Sequence, residues 1–213
     1  EILTANKERK WVMETGQGVY NEAGDVEAIE GIILDISDRK EVENNLKYTY
    51  EHDTWTGLYN RRFLEKQLKE DKDSCKENRA LVGININTIY KSIMIYGFYY
   101  SQKLIKKIAQ ALSGYCTQNC QLFCTSENRF VFYIKGYEDK NDLISFSKKI
   151  GDELENLLSV ERISGGIGIV EINEDNIHDE NLILRTLLIA SEKAFSTYGR
   201  DFGFCFYNKD MEI

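Results

Sequence analysis

No proline occurs in this sequence, and no internal repeat or low-complexity tract, so nothing marks a repeat array or a Pro-rich linker. No apolar run approaches the roughly 18 residues that a membrane-spanning helix needs. No charged-then-apolar leader opens the chain, which starts at Glu1 without Met and reads as a piece of something longer. Basic residues are in deficit. The 27 Lys and Arg against 35 Asp and Glu leave a formal charge of -8, which argues against a nucleic-acid-binding face. The five cysteines include no CxxC pair, so reduced thiols are expected. Cys116, Cys120 and Cys124 fall four apart. That spacing spans a helix end, a loop and a strand, so the three should not share a face, and no histidine is near to complete a metal site.

What is present suffices for one ordinary core and a smaller appendage: 213 residues, 42% of them hydrophobic. In residues 1–38, "KWVMETGQGVY", the turn "NEAGD" and "VEAIEGIILDIS" predict a β-hairpin. A lone two-stranded hairpin is marginal in water, so it must pack on something else. Asp38 is placed to cap a helix starting near Arg39. There Val42, Leu46 and Thr49 or Tyr50 form a narrow stripe that fits either a short coiled-coil seam or a helix lying on its own domain. After residue 60 the pattern predicts α-β-α-β-β-α-β-α-β, a mixed sheet with helices on it around a βαββαβ core. One β-hairpin in this series, "CTSENRFVFYI", carries a polar tip of Ser126, Glu127, Asn128 and Arg129. The aromatic run Tyr96, Phe98, Tyr99 and Tyr100 is expected to be buried under it.

"HDTWTGLYNRR" resembles the stretch that opens GGDEF domains, the diguanylate cyclase family. Asp53, Thr56, Gly57, Leu58, Asn60, Arg61 and Arg62 match, and Trp55 replaces a Leu. The resemblance covers about residues 45–213 and implies the cyclase palm, an α/β (α+β) fold whose hairpin tip normally reads Gly-Gly-Asp/Glu-Glu-Phe. Residues 1–38 resemble the last strands and exit of a PAS domain, with Asp35, Ile36, Ser37, Asp38, Arg39 and Lys40 carrying the match. The implied organisation is a PAS-like end (1–38), a signalling helix (39–52) and a GGDEF-like domain (53–213). It strengthens the coiled-coil reading of the helix and implies a homodimer through it.

In that family one GTP 3′-hydroxyl attacks the α-phosphorus of another, and divalent metal neutralises the triphosphate. Mg²⁺ wants anionic oxygen ligands. The resemblance assigns those ligands to the first palm strand and to the third tip residue. Asn85 and Asn128 stand at these positions. Ser126 and Glu127 replace the two glycines, Arg129 replaces the Glu, and Phe130 is retained. Ile93 and Gln102 stand where guanine would be read, with Met94 beside Ile93. Arg200 matches an anion-facing Arg near the end. Thr117 and Cys120 replace the product-inhibition pair.

The expectation is a catalytically silent GGDEF-like regulatory and dimerisation module of cyclic-di-GMP signalling. Asn85, Ile93, Gln102 and Arg200 would be the nucleotide-site remnant, with no metal and no cofactor. It would relay a PAS signal to an output domain such as an EAL phosphodiesterase. The resemblance implies a cytoplasmic location, alone or as part of a longer protein. The alternatives are a GTP sensor without turnover, which would take GTP and Mg²⁺, and, behind it, an atypical active cyclase.

Overall fold

The computed structural model describes residues 1–74, 77–87, 89–161, 163–198 and 202–212. The chain divides into two units, Glu1–Tyr50 and Glu51–Ile213.

In the first unit, β1 (Ile2–Leu3) pairs with β2 (Arg9–Lys10), and β3 (Val12–Tyr20) pairs antiparallel with β4 (Val26–Asp35). The turn between β3 and β4 is shaped by Asn21, whose Oδ1 accepts from the amides of Ala23 and Asp25, and by Gly24 at φ +86°. That φ suits a residue without Cβ. Helix α1 (Ser37–Glu51) starts two residues earlier than the sequence suggests. Its first-turn amide, on Ser37, donates to Asp35 Oδ1, so Asp35 takes the capping role assigned to Asp38. Asp35 also accepts from Lys10 Nζ at 2.6 Å, which holds its carboxyl well below the usual carboxylate range. The stripe residues Val42, Leu46 and Tyr50 are all exposed.

The second unit is built on a six-stranded mixed sheet in the order β10-β9-β6-β8-β7-β5. Its strands are β5 (Tyr59–Asn60), β6 (Arg79–Ile86), β7 (Cys120–Ser126), β8 (Arg129–Lys135), β9 (Gly165–Ile172) and β10 (Phe204–Phe206). The pairs β10·β9 and β7·β5 are parallel and the rest antiparallel. Alternation along β6 splits the core. Ala80, Val82, Ile84 and Ile86 join one cluster with Leu104, Ile105 and Ile108 of α4 (Phe98–Ser113) and Ile150 and Leu154 of α5 (Lys140–Leu158). Leu81 joins a second cluster with Leu64 and Leu68 of α2 (Arg61–Ser74) and Ile183 and Leu187 of α6 (Glu180–Tyr198). Close approach of α6 requires glycine on β9. A Cβ on Gly166 would stand 2.1 Å from the Ser191 carbonyl oxygen.

This is the mixed, helix-flanked sheet that the pattern predicts, with two additions. The sequence reading has no counterpart for the two-residue β5 or for α3 (Ile89–Tyr96), because "NTIYKSIMIY" shows no clean period. A short 3-10 turn (Lys209–Met211) closes the chain. No described helix is long and apolar enough to cross a membrane.

Two local expectations are corrected. Cys116, expected like the other two to be a small buried residue, is exposed, while Cys120 and Cys124 are buried on β7 in one core cluster. A strand returns to the same face at every second residue, so these two share a face and Cys116 stands apart from them, as the spacing of the three predicts. The aromatic run is not buried. Tyr96, Phe98 and Tyr99 are all more than half exposed.

Candidate functional site

The opening signature is explained locally. Asp53 Oδ1 accepts from the Thr56 amide at 2.8 Å and the Thr56 hydroxyl at 2.7 Å. Gly57 turns the chain at φ +73°. Asn60 Oδ1 accepts from the Phe63 amide at 3.1 Å, capping α2. These residues build a turn and a helix start, which seat α2 on the sheet.

The polar hairpin is β7–β8. Its register pairs Ser126 with Arg129 and Cys124 with Phe130, which leaves Thr125 bulged and makes Glu127-Asn128 the tip. Phe130 and Phe132 are buried in one cluster, Val131 and Tyr133 in the other. The tip is thereby held against the end of β6, and Asn85 is the cross-strand partner of Arg129.

At this point Asn85 and Asn128 meet. Asn128 Nδ2 donates to Asn85 Oδ1 at 3.1 Å and to the Ile86 carbonyl at 3.4 Å. Asn85 Nδ2 donates to Glu192 Oε1 at 2.5 Å. Ser126 Oγ donates to Asn128 Oδ1 at 3.2 Å. The Asn85 NH₂ faces the Glu192 carboxyl oxygen, and the Asn85 oxygen then faces the Asn128 NH₂. The direction of the whole chain of bonds, Ser126 to Asn128 to Asn85 to Glu192, follows from that end.

Both amide oxygens are therefore already accepting, and both NH₂ groups are already donating, to Glu192 and to Asn85 and the Ile86 carbonyl. A hard dication needs free anionic oxygens, and this donor set does not fit Mg²⁺. Among the described residues, no group of three or more His, Cys, Asp or Glu converges as a metal site. Glu192, on α6, escaped the sequence reading; its distance of 107 positions from Asn85 carries no pattern that would find it.

Residues 50–193 match the family described as diguanylate cyclase, GGDEF domain. The chain belongs to the GGDEF family. Three solved structures illustrate the likeness. A Vibrio cholerae LapD S helix-GGDEF-EAL structure bound to c-di-GMP is 17% identical with TM-score 0.66, covering 81% of this chain and 41% of that one. The GGDEF domain of Pseudomonas aeruginosa TpbB (YfiN) is 16% identical with TM-score 0.60, covering 75% and 96%. The GGDEF domain of Caulobacter crescentus DgcB, in complex with c-di-GMP, is 13% identical with TM-score 0.61, covering 75% and 94%. At such identities the likeness shows the fold. The chain spans about two fifths of the Vibrio cholerae structure. Among curated proteins none matches this sequence.

Within this GGDEF chain, the expected site residues divide. Asn85, Ser126, Asn128 and Arg129 come together, with Phe130 buried behind them and Glu127 exposed at the tip. Ile93 on α3 and Gln102 on α4 are half-buried, and Met94 is 88% exposed, so Met94 lines no pocket. Arg200 lies outside the described residues. Trp55, which stands where the signature has Leu, packs edge-to-face on Phe98 of the aromatic run with ring centroids 5.2 Å apart.

Proposed function

We propose that this GGDEF domain is catalytically silent and works as a regulatory module in cyclic-di-GMP signalling. The observation that carries the reading is the Asn85–Asn128 hydrogen bond, closed by Glu192. Two positions that the family fills with metal-binding carboxylates hold amides bonded to each other. A unit-charge attraction at 4 Å is worth about 4 kcal/mol at an effective dielectric of 20. Losing two such attractions, with the Arg129 cation opposite Asn85, removes the basis for binding Mg²⁺ with a triphosphate.

The module would relay a signal from a PAS-like end at residues 1–38, through α1, to an output domain. The exposed stripe Val42, Leu46 and Tyr50 supports pairing of two α1 helices in a homodimer. The S helix-GGDEF-EAL order of the Vibrio cholerae relative supports an EAL domain as the output.

Titration of the chain with GTP and Mg²⁺ by calorimetry, with product analysis after long incubation, tests the reading. Neither saturable Mg²⁺-dependent binding nor cyclic dinucleotide is expected. Turnover would establish an atypical cyclase, and Mg²⁺-dependent binding without turnover would establish a GTP sensor; either result overturns the silent module.

A further inference from the structure

Next to the tip, between β6, β8 and α6, lies a cavity of about 280 Å³. Three arginines line it, Arg61, Arg129 and Arg185, and none of its lining residues is acidic. In a chain of net charge -8 this is a local reversal of sign. The guanidiniums come from separate elements: Arg61 opens α2, Arg129 opens β8, and Arg185 lies on the second turn of α6.

The arginines differ in how they are satisfied. Arg61 Nε bonds Glu65 at 2.7 Å, and Arg185 pairs with Glu212 at 3.4 Å; both arginine side chains are more than half exposed. Such surface pairs hold little energy and exchange readily. Arg129 is different. Its Nε is buried and has no hydrogen-bond partner. Burying a polar group without a partner is costly, and the cost is recovered when an acceptor arrives. Sequence position explains the orphan: Arg129 faces Asn85 across the strand pair, and the Asn85 side chain is already engaged by Asn128 and Glu192.

The remaining wall supplies a second requirement. Val131, Leu184, Leu187 and Leu188 form an apolar stretch beside polar Thr125, Asn181 and Ser191, and the space exceeds what an inorganic oxyanion fills. Gly83 lets α6 pack close to this wall: a Cβ there would stand 2.7 Å from the Leu187 side chain. We infer that this cavity binds a small organic phosphate, its dianionic head on the Arg129, Arg61 and Arg185 guanidiniums and its apolar body against the leucines of α6. Guanidinium forks match phosphate oxygens in number and plane. No metal takes part, so the site stands whether or not the silent-module reading holds.

The test uses the whole 213-residue chain in EDTA at low ionic strength, with phenyl phosphate as probe and inorganic phosphate as the head alone. Calorimetry should find saturable binding of phenyl phosphate, about tenfold tighter than inorganic phosphate, or ~1.4 kcal/mol. Arg129→Met should weaken phenyl phosphate at least about tenfold. Arg185→Met, on an exposed side chain that does not threaten the fold, should weaken it severalfold. Absence of saturable binding by the unaltered chain overturns the proposal. So does unchanged affinity in Arg185→Met together with unchanged affinity in Arg129→Met, or, should Arg129→Met not fold, unchanged affinity in Arg185→Met alone.

Discussion

Two hairpins in this chain share one local design and meet opposite fates. β3–β4 and β7–β8 are both antiparallel, both close on short polar turns, and both carry apolar side chains on the two faces. In the first, no residue is buried, and Ile29, Ile32 and Ile33 are each more than 60% exposed. In the second, Phe130, Val131, Phe132 and Tyr133 are nearly inaccessible, because β6 pairs with β8 and helices cover both faces. The difference teaches that a hairpin pattern specifies pairing, whereas burial supplies the stability that keeps a tip in place.

The largest effect that would break this comparison is on the core. Phe130→Ala should cost about 3–5 kcal/mol in denaturant unfolding, while Ile33→Ala should stay within about 0.5 kcal/mol. Similar losses in both would show that the first hairpin is as well covered as the second.

The tips come next. Asn21 shapes its turn through bonds within four residues, whereas Asn128 depends on Asn85 and, through it, on Glu192. Asn85→Asp would set a carboxylate against Glu192 and remove a donor, at about 1–3 kcal/mol in thermal unfolding. The new carboxyl would have a folded-state pKa above its unfolded one. Its penalty should therefore shrink as pH falls towards the acid range and grow as pH rises. Asn21→Ala should lose about 1 kcal/mol or less, with no such pH dependence.

The smallest effect is chemical. Burial pushes the Cys120 and Cys124 thiols from 9.0 to about 12. A raised thiol pKa favours the folded state fully below about pH 9, and that contribution is lost as pH climbs towards 12. At pH 8 both thiols should resist a maleimide, while exposed Cys116 reacts first. A cysteine introduced at Ile29 in the first hairpin should label as fast as Cys116. Slow labelling there would mean the first hairpin is covered in solution.

Much of the fold was legible. Period-2 strands, amphipathic helices and the Asp53–Arg62 turn announce themselves over short windows, since their physics is local. Asp53 bonds Thr56 and Asn60 bonds Phe63, each three residues on, and Asn60 reaches the His52 carbonyl only eight residues back, which is why the family signature survives as text. The alignment of Asn85 with the tip was legible too, through the family resemblance. Glu192, the cavity arginines and the exposure of Tyr96, Phe98 and Tyr99 were not. Each depends on which elements end up adjacent, and α3, which carries Tyr96, had no periodic signature.

By itself the sequence determined most of the strands and helices and the turns that close them, and the family resemblance set Asn85, Asn128 and Arg129 against positions expected to be acidic. Only the tertiary structure decided that Asn128 bonds Asn85, that Glu192 terminates the chain of bonds, and that Arg61, Arg129 and Arg185 converge on one cavity. The reason is range. Backbone geometry and hydrophobic period act over a few residues, whereas a hydrogen bond or a shared cavity joins side chains separated by most of the chain and exists only once the sheet and α6 have packed.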